Sequence, residues 1–223
     1  MEKTVRNRDN LIDTIIAREW EFFQEVNNVG GPASCQSMPR TFSTMRRAQY
    51  TCWDRQALES WLDDLADYRA RGMNPVTIKY ARMMESTHPD EFASLATMLP
   101  PVPNETHEAV EELVGLTVRW ADELAQHYPL YMGRGRVLHT RDDTPDKTSV
   151  ETYARGEMST YSLRTLTSLL ATYRTAAQEG RNLQELIAVA QVHAYGYQSL
   201  DDVERVLATG SMGDRGLDGQ HVL

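Results

Sequence analysis

Displaced against itself by 108 positions, this chain aligns residues 41–74 with residues 149–182 without a gap. Thr44/Thr152, Arg47/Arg155, Leu58/Leu166, Ser60/Ser168, Leu62/Leu170, Gly72/Gly180 and Asn74/Asn182 coincide. The coincidences fall where helices begin and end. Tyr50-Thr51-Cys52-Trp53-Asp54 answers Met158-Ser159-Thr160-Tyr161-Ser162, and each segment closes on a helix-capping residue ahead of an apolar stripe. A duplicated unit of this kind predicts an all-α fold of two pseudo-symmetric helical repeats packed as one globular domain. The groove between the repeats is then the natural place for a site.

Periodicity supplies the elements. Leu11, Ile12, Ile15, Ile16, Trp20, Phe22, Phe23 and Val26 form a wide apolar helical face, stopped by Asn27-Asn28-Val29-Gly30-Gly31-Pro32. Helices are expected at about 41–51, from Asp54 to Gly72, and from Pro75 to about Glu85. Met98-Leu99-Pro100-Pro101-Val102-Pro103-Asn104 is the proline-rich joint. The expected organisation is an arm at 1–10, repeat one at 11–99, a joint at 100–107, repeat two at 108–208, and a flexible glycine-rich tail at 209–223. In repeat two, Glu108, Glu111 and Glu112 are expected in the first turn of a helix, where acidic charge suits the dipole. Residues 129–147 read as a long loop, followed by helices near 149–160, 163–179, 183–193 and 200–208.

The totals limit the partners. A net charge of −9 argues against a nucleic-acid role, since phosphate backbones demand a dense cationic face. No apolar run reaches the roughly 18 residues of a membrane span, and the first residues lack the apolar stretch of a secretion signal. Cys35 and Cys52 supply neither a disulfide framework nor a metal quartet. A cytoplasmic protein acting on a small molecule is expected, with no cofactor and no metal, and a homodimer stays open as its assembly.

Three stretches resemble one family: Ile15-Ile16-Ala17-Arg18-Glu19-Trp20-Glu21-Phe22-Phe23, then Gly30-Gly31-Pro32-Ala33-Ser34-Cys35-Gln36, and Lys79-Tyr80-Ala81-Arg82-Met83-Met84-Glu85. Gly133-Arg134-Gly135-Arg136 and Glu151-Thr152-Tyr153-Ala154-Arg155-Gly156-Glu157 with Thr160-Tyr161-Ser162 extend the likeness. The chain is similar over about Leu11 to Asp202 to the bacterial family called domain of unknown function 4125. The resemblance implies no particular chemistry. Some relatives carry a nucleotidyltransferase-like domain, which is not in this sequence.

Candidate residues follow from side-chain chemistry. Glu157 and Tyr161 stand four apart on one helical face, where a carboxyl beside a phenol can relay protons. Cys35, behind paired glycines, is a candidate nucleophile that needs an activating neighbour. Arg47, Arg134, Arg136 and Arg155 are candidate anion forks, against the plainer alternative of pairing with surplus Asp and Glu. Trp20 and Tyr153 are candidate stacking surfaces, against the plainer alternative of core packing. Glu85-Ser86-Thr87-His88 has the spacing of a helical di-iron ligand pair but no second copy. Two readings remain. One is a cofactor-independent acid/base enzyme on a carboxylate-bearing, aromatic or amino-acid-like metabolite, catalysing elimination, condensation or a cyclisation such as a Pictet–Spengler closure. The other is a non-catalytic helical module that binds a ligand or a partner.

Overall fold

The structure is a computed structural model that describes residues 7–27 and 34–210. Among the described residues it is all-helical, without a strand; Thr144 and Lys147 form an isolated antiparallel bridge. The expected glycine pair at 30–31 and the tail beyond Gly210 lie outside the described residues.

Helix α1 (Arg8–Gln24) buries Leu11, Ile12, Ile15, Ile16, Phe22 and Phe23, as its stripe requires, and also Glu19. A short 3-10 turn (Ser34–Ser37) leads into α2 (Pro39–Tyr50), begun by a proline whose missing N–H costs nothing at that position. Asp54 caps α3 (Arg55–Ala70) by accepting from Ala57 N at 2.6 Å. Gly72 then takes a left-handed φ of 64°, which turns the chain out of the helix. Asn74 caps α4 (Pro75–Thr87), and its amide nitrogen donates to Phe22 O at 2.8 Å, tying α4 to α1.

Pro89 does not merely halt α4; it starts α5 (Pro89–Leu95), which with a 3-10 turn (Ala96–Met98) forms a strap that buries no residue of its own. Helix α6 (Asn104–His127) begins four residues earlier than the acidic signal implied, inside the expected joint. Glu108 therefore falls past the first turn, because the chain after Pro103 has no reason to wait: Pro103 is the N-cap and Thr106 is already buried. The expected loop after Tyr128 contains a single-turn helix α7 (Pro129–Met132) and a 3-10 turn (Thr140–Asp142).

Ser149 caps α8 (Val150–Met158), Ser162 caps α9 (Leu163–Gln178), Asn182 caps α10 (Leu183–Ala194) and Ser199 caps α11 (Leu200–Thr209). Asn182 also donates to Trp120 O at 2.9 Å, as Asn74 does to Phe22. Helix α1 packs on α2, α3 and α4, and α6 on α8, α9 and α10; α3 lies against α9, α8 on α4, and α2 on α10. One core runs through both halves, from Leu11 and Ile15 through Leu58 and Leu113 to Leu166 and Leu183. A second cluster joins Tyr131 and Met132 of α7 to Val192, Leu200 and Val203, with Glu204 of α11 accepting from Tyr131 N at 2.8 Å.

Candidate functional site

The polar centre of the molecule is built where α2 and α8 meet over α1 and α4. Gly156 lets α8 approach α4 closely: a Cβ there would stand 2.9 Å from Met83 Cγ and 3.0 Å from Lys79 O. That approach sets Tyr153, three residues before Gly156, and Glu157, the residue after it, onto Lys79. Lys79 Nζ donates to Glu157 Oε2 at 3.0 Å and to Tyr153 Oη at 2.7 Å. From α2, Arg46 donates to Glu157 Oε1 at 2.8 Å and to both oxygens of Glu19 on α1. Gln49 and Tyr161 also donate to Glu157 Oε1, at 3.0 and 2.7 Å. Trp61 Nε1 and Tyr50 Oη close the shell on Glu19 Oε1.

Two carboxylates thus face two cations, all four residues buried. Burial works against the charge on Glu157, but Arg46 and then Lys79 outweigh it and hold this carboxyl well below the ordinary 4.5. Burial likewise pulls Lys79 and Arg46 down, and in both Glu157 is the strongest opposing influence, so both end above their ordinary values. Burial, then Glu157, pushes the Tyr161 phenol well up. Burial raises Tyr80 to about 12 against the pull of Lys79. Such a cluster is weak evidence for stability, since apolar side chains of equal volume serve as well, but removing one member is costly.

The cluster floors a cavity of about 1050 Å3, at the upper end of ordinary ligand sites. Phe23, Phe42, Trp61 and Tyr80 give it aromatic walls, and the segment 133–148 closes one side. Phe23 and Phe42 stack at 5.3 Å. Its charged lining comprises Arg46, Lys79, Arg134, Arg136 and Lys147 against Glu19, Asp146 and Glu157, a cationic excess in a chain of net charge −9. Arg136 donates to Thr148 O at 3.1 Å and lies over the Tyr153 ring at 4.5 Å; Lys79 Nζ lies 4.0 Å from the same ring centre. The mouth segment is fastened by Asp143, which accepts from Ser149 N, Ser86 Oγ and Thr152 Oγ1 at 2.5 to 2.6 Å. Burial raises the Asp143 carboxyl, but the Ser86 and Thr152 hydrogen bonds prevail and it titrates below its ordinary value.

Of the residues expected from sequence, Cys35, Arg134, Arg136, Tyr153 and Glu157 line this cavity. No histidine lines it beside Cys35 among the described residues. Tyr161 does not line it; the phenol is sealed behind Glu157, edge-on to Trp61 at 4.6 Å. Trp20 stands behind the wall, edge-on to Phe42 at 5.1 Å. Arg47 is half-exposed and pairs with Asp13, on the outside of α2. Arg155 holds Glu111 and Glu151 and faces the opposite side of α8. Arg47 and Arg155 therefore do not converge on an anion in this cavity; each already has carboxylate neighbours. The residues that sequence reasoning passed over are Glu19, Arg46, Lys79 and Tyr80. Their signal was a charge inside an apolar stripe: Glu19 between Ile16 and Phe22, Lys79 between Ile78 and Met83.

Among the described residues, no three of His, Cys, Asp and Glu gather as a metal site, and no helix is long and apolar enough to cross a membrane. Residues 9–205 match the sequence model of the family described as "Protein of unknown function (DUF4125)", and the chain belongs to that family. Neither a curated protein nor a solved structure matches it.

Proposed function

We propose that this DUF4125 member binds a small carboxylate-bearing metabolite with an aromatic or amino-acid-like body in the cavity over Lys79 and Tyr153, and moves a proton on it. One observation carries the reading: Arg136 and Lys79 share the Tyr153 ring, and of the two only Lys79 has a carboxylate partner among the described residues. Arg136 thus brings to the cavity wall a cation that a ligand carboxylate would match. The aromatic walls suit a flat, apolar body.

The proton chemistry is assigned to Tyr153 rather than to the Glu157–Tyr161 pair. Glu157 is held ionised by two cations and makes a poor acid, and Tyr161 has no path to a ligand. Tyr153 accepts from Lys79 through its oxygen, and its own hydrogen has no acceptor among the described residues, so it is available to a ligand.

The duplication belongs to the same reading. At the offset of 108 the bounds of α3 coincide in number with those of α9, Gly72 with Gly180 (φ 64° and 67°), and the capping Asn74 with Asn182, which supports a repeat. Gln49 and Glu157 are equivalent by that offset and touch at 3.0 Å, as equivalent residues do beside a twofold axis. We take the site to be the point where one ancestral repeat acquired the acid and the other kept an amide.

Calorimetric titration with aromatic amino acids, their deaminated acids and their amines tests the binding. Acids are expected to bind and amines not, and Arg136→Gln is expected to lose at least tenfold in affinity. Equal binding of amines, or an unchanged Arg136→Gln, removes the reading. Exchange of ligand C–H protons in deuterated water, followed by NMR, reads the chemistry; Tyr153→Phe is expected to bind but not exchange. A ligand that binds wild type without any exchange leaves a binding module instead.

A further inference from the structure

The crossing of α8 over α4 has a second side. Lys79, Tyr153 and Glu157 face the first cavity, whereas Arg82, Ser86, Thr152 and Ser159 of the same two helices face another, of about 700 Å3. The α5 strap and the prolines after it roof this space, with Phe92, Leu99 and Val102 among its walls. The strap has no buried residue and Met98 is 70% exposed, so it covers the space without filling it.

Arg82 is the unbalanced charge there. Its Nη2 donates to Pro100 O at 2.6 Å, but among the described residues its buried Nε has no acceptor and no carboxylate lies within ion-pair distance, although Glu85 is near enough to act on its charge. Glu85 lies on the rim, exposed and outside ion-pair distance. Arg155, also in the lining, is already matched by Glu111 and Glu151. A half-buried guanidinium with an idle N–H is costly, and burial depresses its pKa.

We propose that this strap cavity is a second ligand site, for a monocarboxylate with a short apolar chain whose carboxylate meets Arg82 and whose chain lies on Phe92, Leu99 and Val102. A single unmatched cation suits one negative charge better than a phosphate dianion, and the apolar roof suits an alkyl or aryl chain better than a polar one. The residues differ from those of the first cavity, so either site can fail without the other.

Calorimetric titration of the full chain with hexanoate is the test, with hexanol and inorganic phosphate as comparison probes. Hexanoate is expected to bind at least tenfold more tightly than either. Arg82→Gln is expected to lose at least tenfold in hexanoate affinity, and Arg136→Gln, in the other cavity, to keep it. Because Arg82 also holds Pro100, the wild-type protein supplies a second readout: the Arg82 Nε–H resonance should shift on saturation with hexanoate. Phosphate binding as tight as hexanoate, an unmoved Nε–H resonance, or loss of hexanoate binding in Arg136→Gln rather than Arg82→Gln would each overturn the assignment.

Discussion

Two helix crossings, α8 on α4 and α2 on α10, join elements whose residue numbers match at the offset of 108, and they are furnished in opposite ways. Counting the offset of 108, Lys79 answers Ile187, Tyr80 answers Ala188, Tyr153 answers Met45, Gly156 answers Ala48 and Glu157 answers Gln49. On the α10 side Ile187, Ala188 and Ala48 are simply buried. On the α4 side the same places hold a cation, a phenol, a bare backbone and a carboxylate. An apolar crossing evidently suffices to join two such helices. The charges at the other crossing are therefore not demanded by packing, which is the physical reason for looking for function there.

The contrast is sharpest in its largest expected effect. Glu157→Ala leaves Arg46 and Lys79 buried without their shared carboxylate and should cost about 3–5 kcal/mol. Gln49→Ala, at the matching number, removes an uncharged amide that donates to Glu157 and accepts from Arg46, and should cost about 1.5–3 kcal/mol. Urea unfolding of both variants checks this; equal losses would erase the distinction between the crossings.

A smaller effect is expected at the contact points. Gly156→Ala forces a methyl against Met83 and the Lys79 carbonyl, and should cost about 1–3 kcal/mol while lifting Lys79 from Tyr153. Ala48→Gly should cost about 1–2 kcal/mol through helix propensity and the lost buried methyl and leave ligand affinity unchanged. Thermal unfolding with and without a bound aromatic acid separates the two.

The smallest effect is the pH response near neutrality. Glu157 and Asp143 titrate below their ordinary values in the folded chain. Depressed carboxyls contribute stability above the unfolded values, near 4, and that contribution is lost as pH falls through the folded ones. Unfolding free energy should thus stay nearly level from about pH 7 to about 5 and fall below about 4. Glu157→Gln should show a shallower acid drop than wild type, and an identical profile would mean that Glu157 does not carry it.

Much of this was legible in the residues. Caps and glycines announced α3, α4, α9 and α10 almost to the residue, because side-chain oxygens and left-handed turns act locally. Helix α5 was not, since a proline after a helix reads as a stop until the next turn is seen to continue. Arg47 and Arg155 were matched by the offset of 108, yet identity at an offset carries no information about which way a side chain leaves the helix. Glu157, Tyr153, Arg134, Arg136 and Cys35 were expected and line the cavity. Glu19, Arg46 and Lys79 were not expected there, because only the meeting of four helices shows that charges on apolar stripes neutralise one another.

Glu204 gives α11 a reach beyond its own surroundings. Its carboxylate accepts the Tyr131 N–H at the start of the glycine–arginine segment, and α11 packs on α7. Whatever pulls on α11 therefore pulls on α7, a few residues ahead of Arg136. Fusions or tags appended after Leu223 should be compared with amino-terminal ones before any loss of ligand affinity is blamed on the cavity itself.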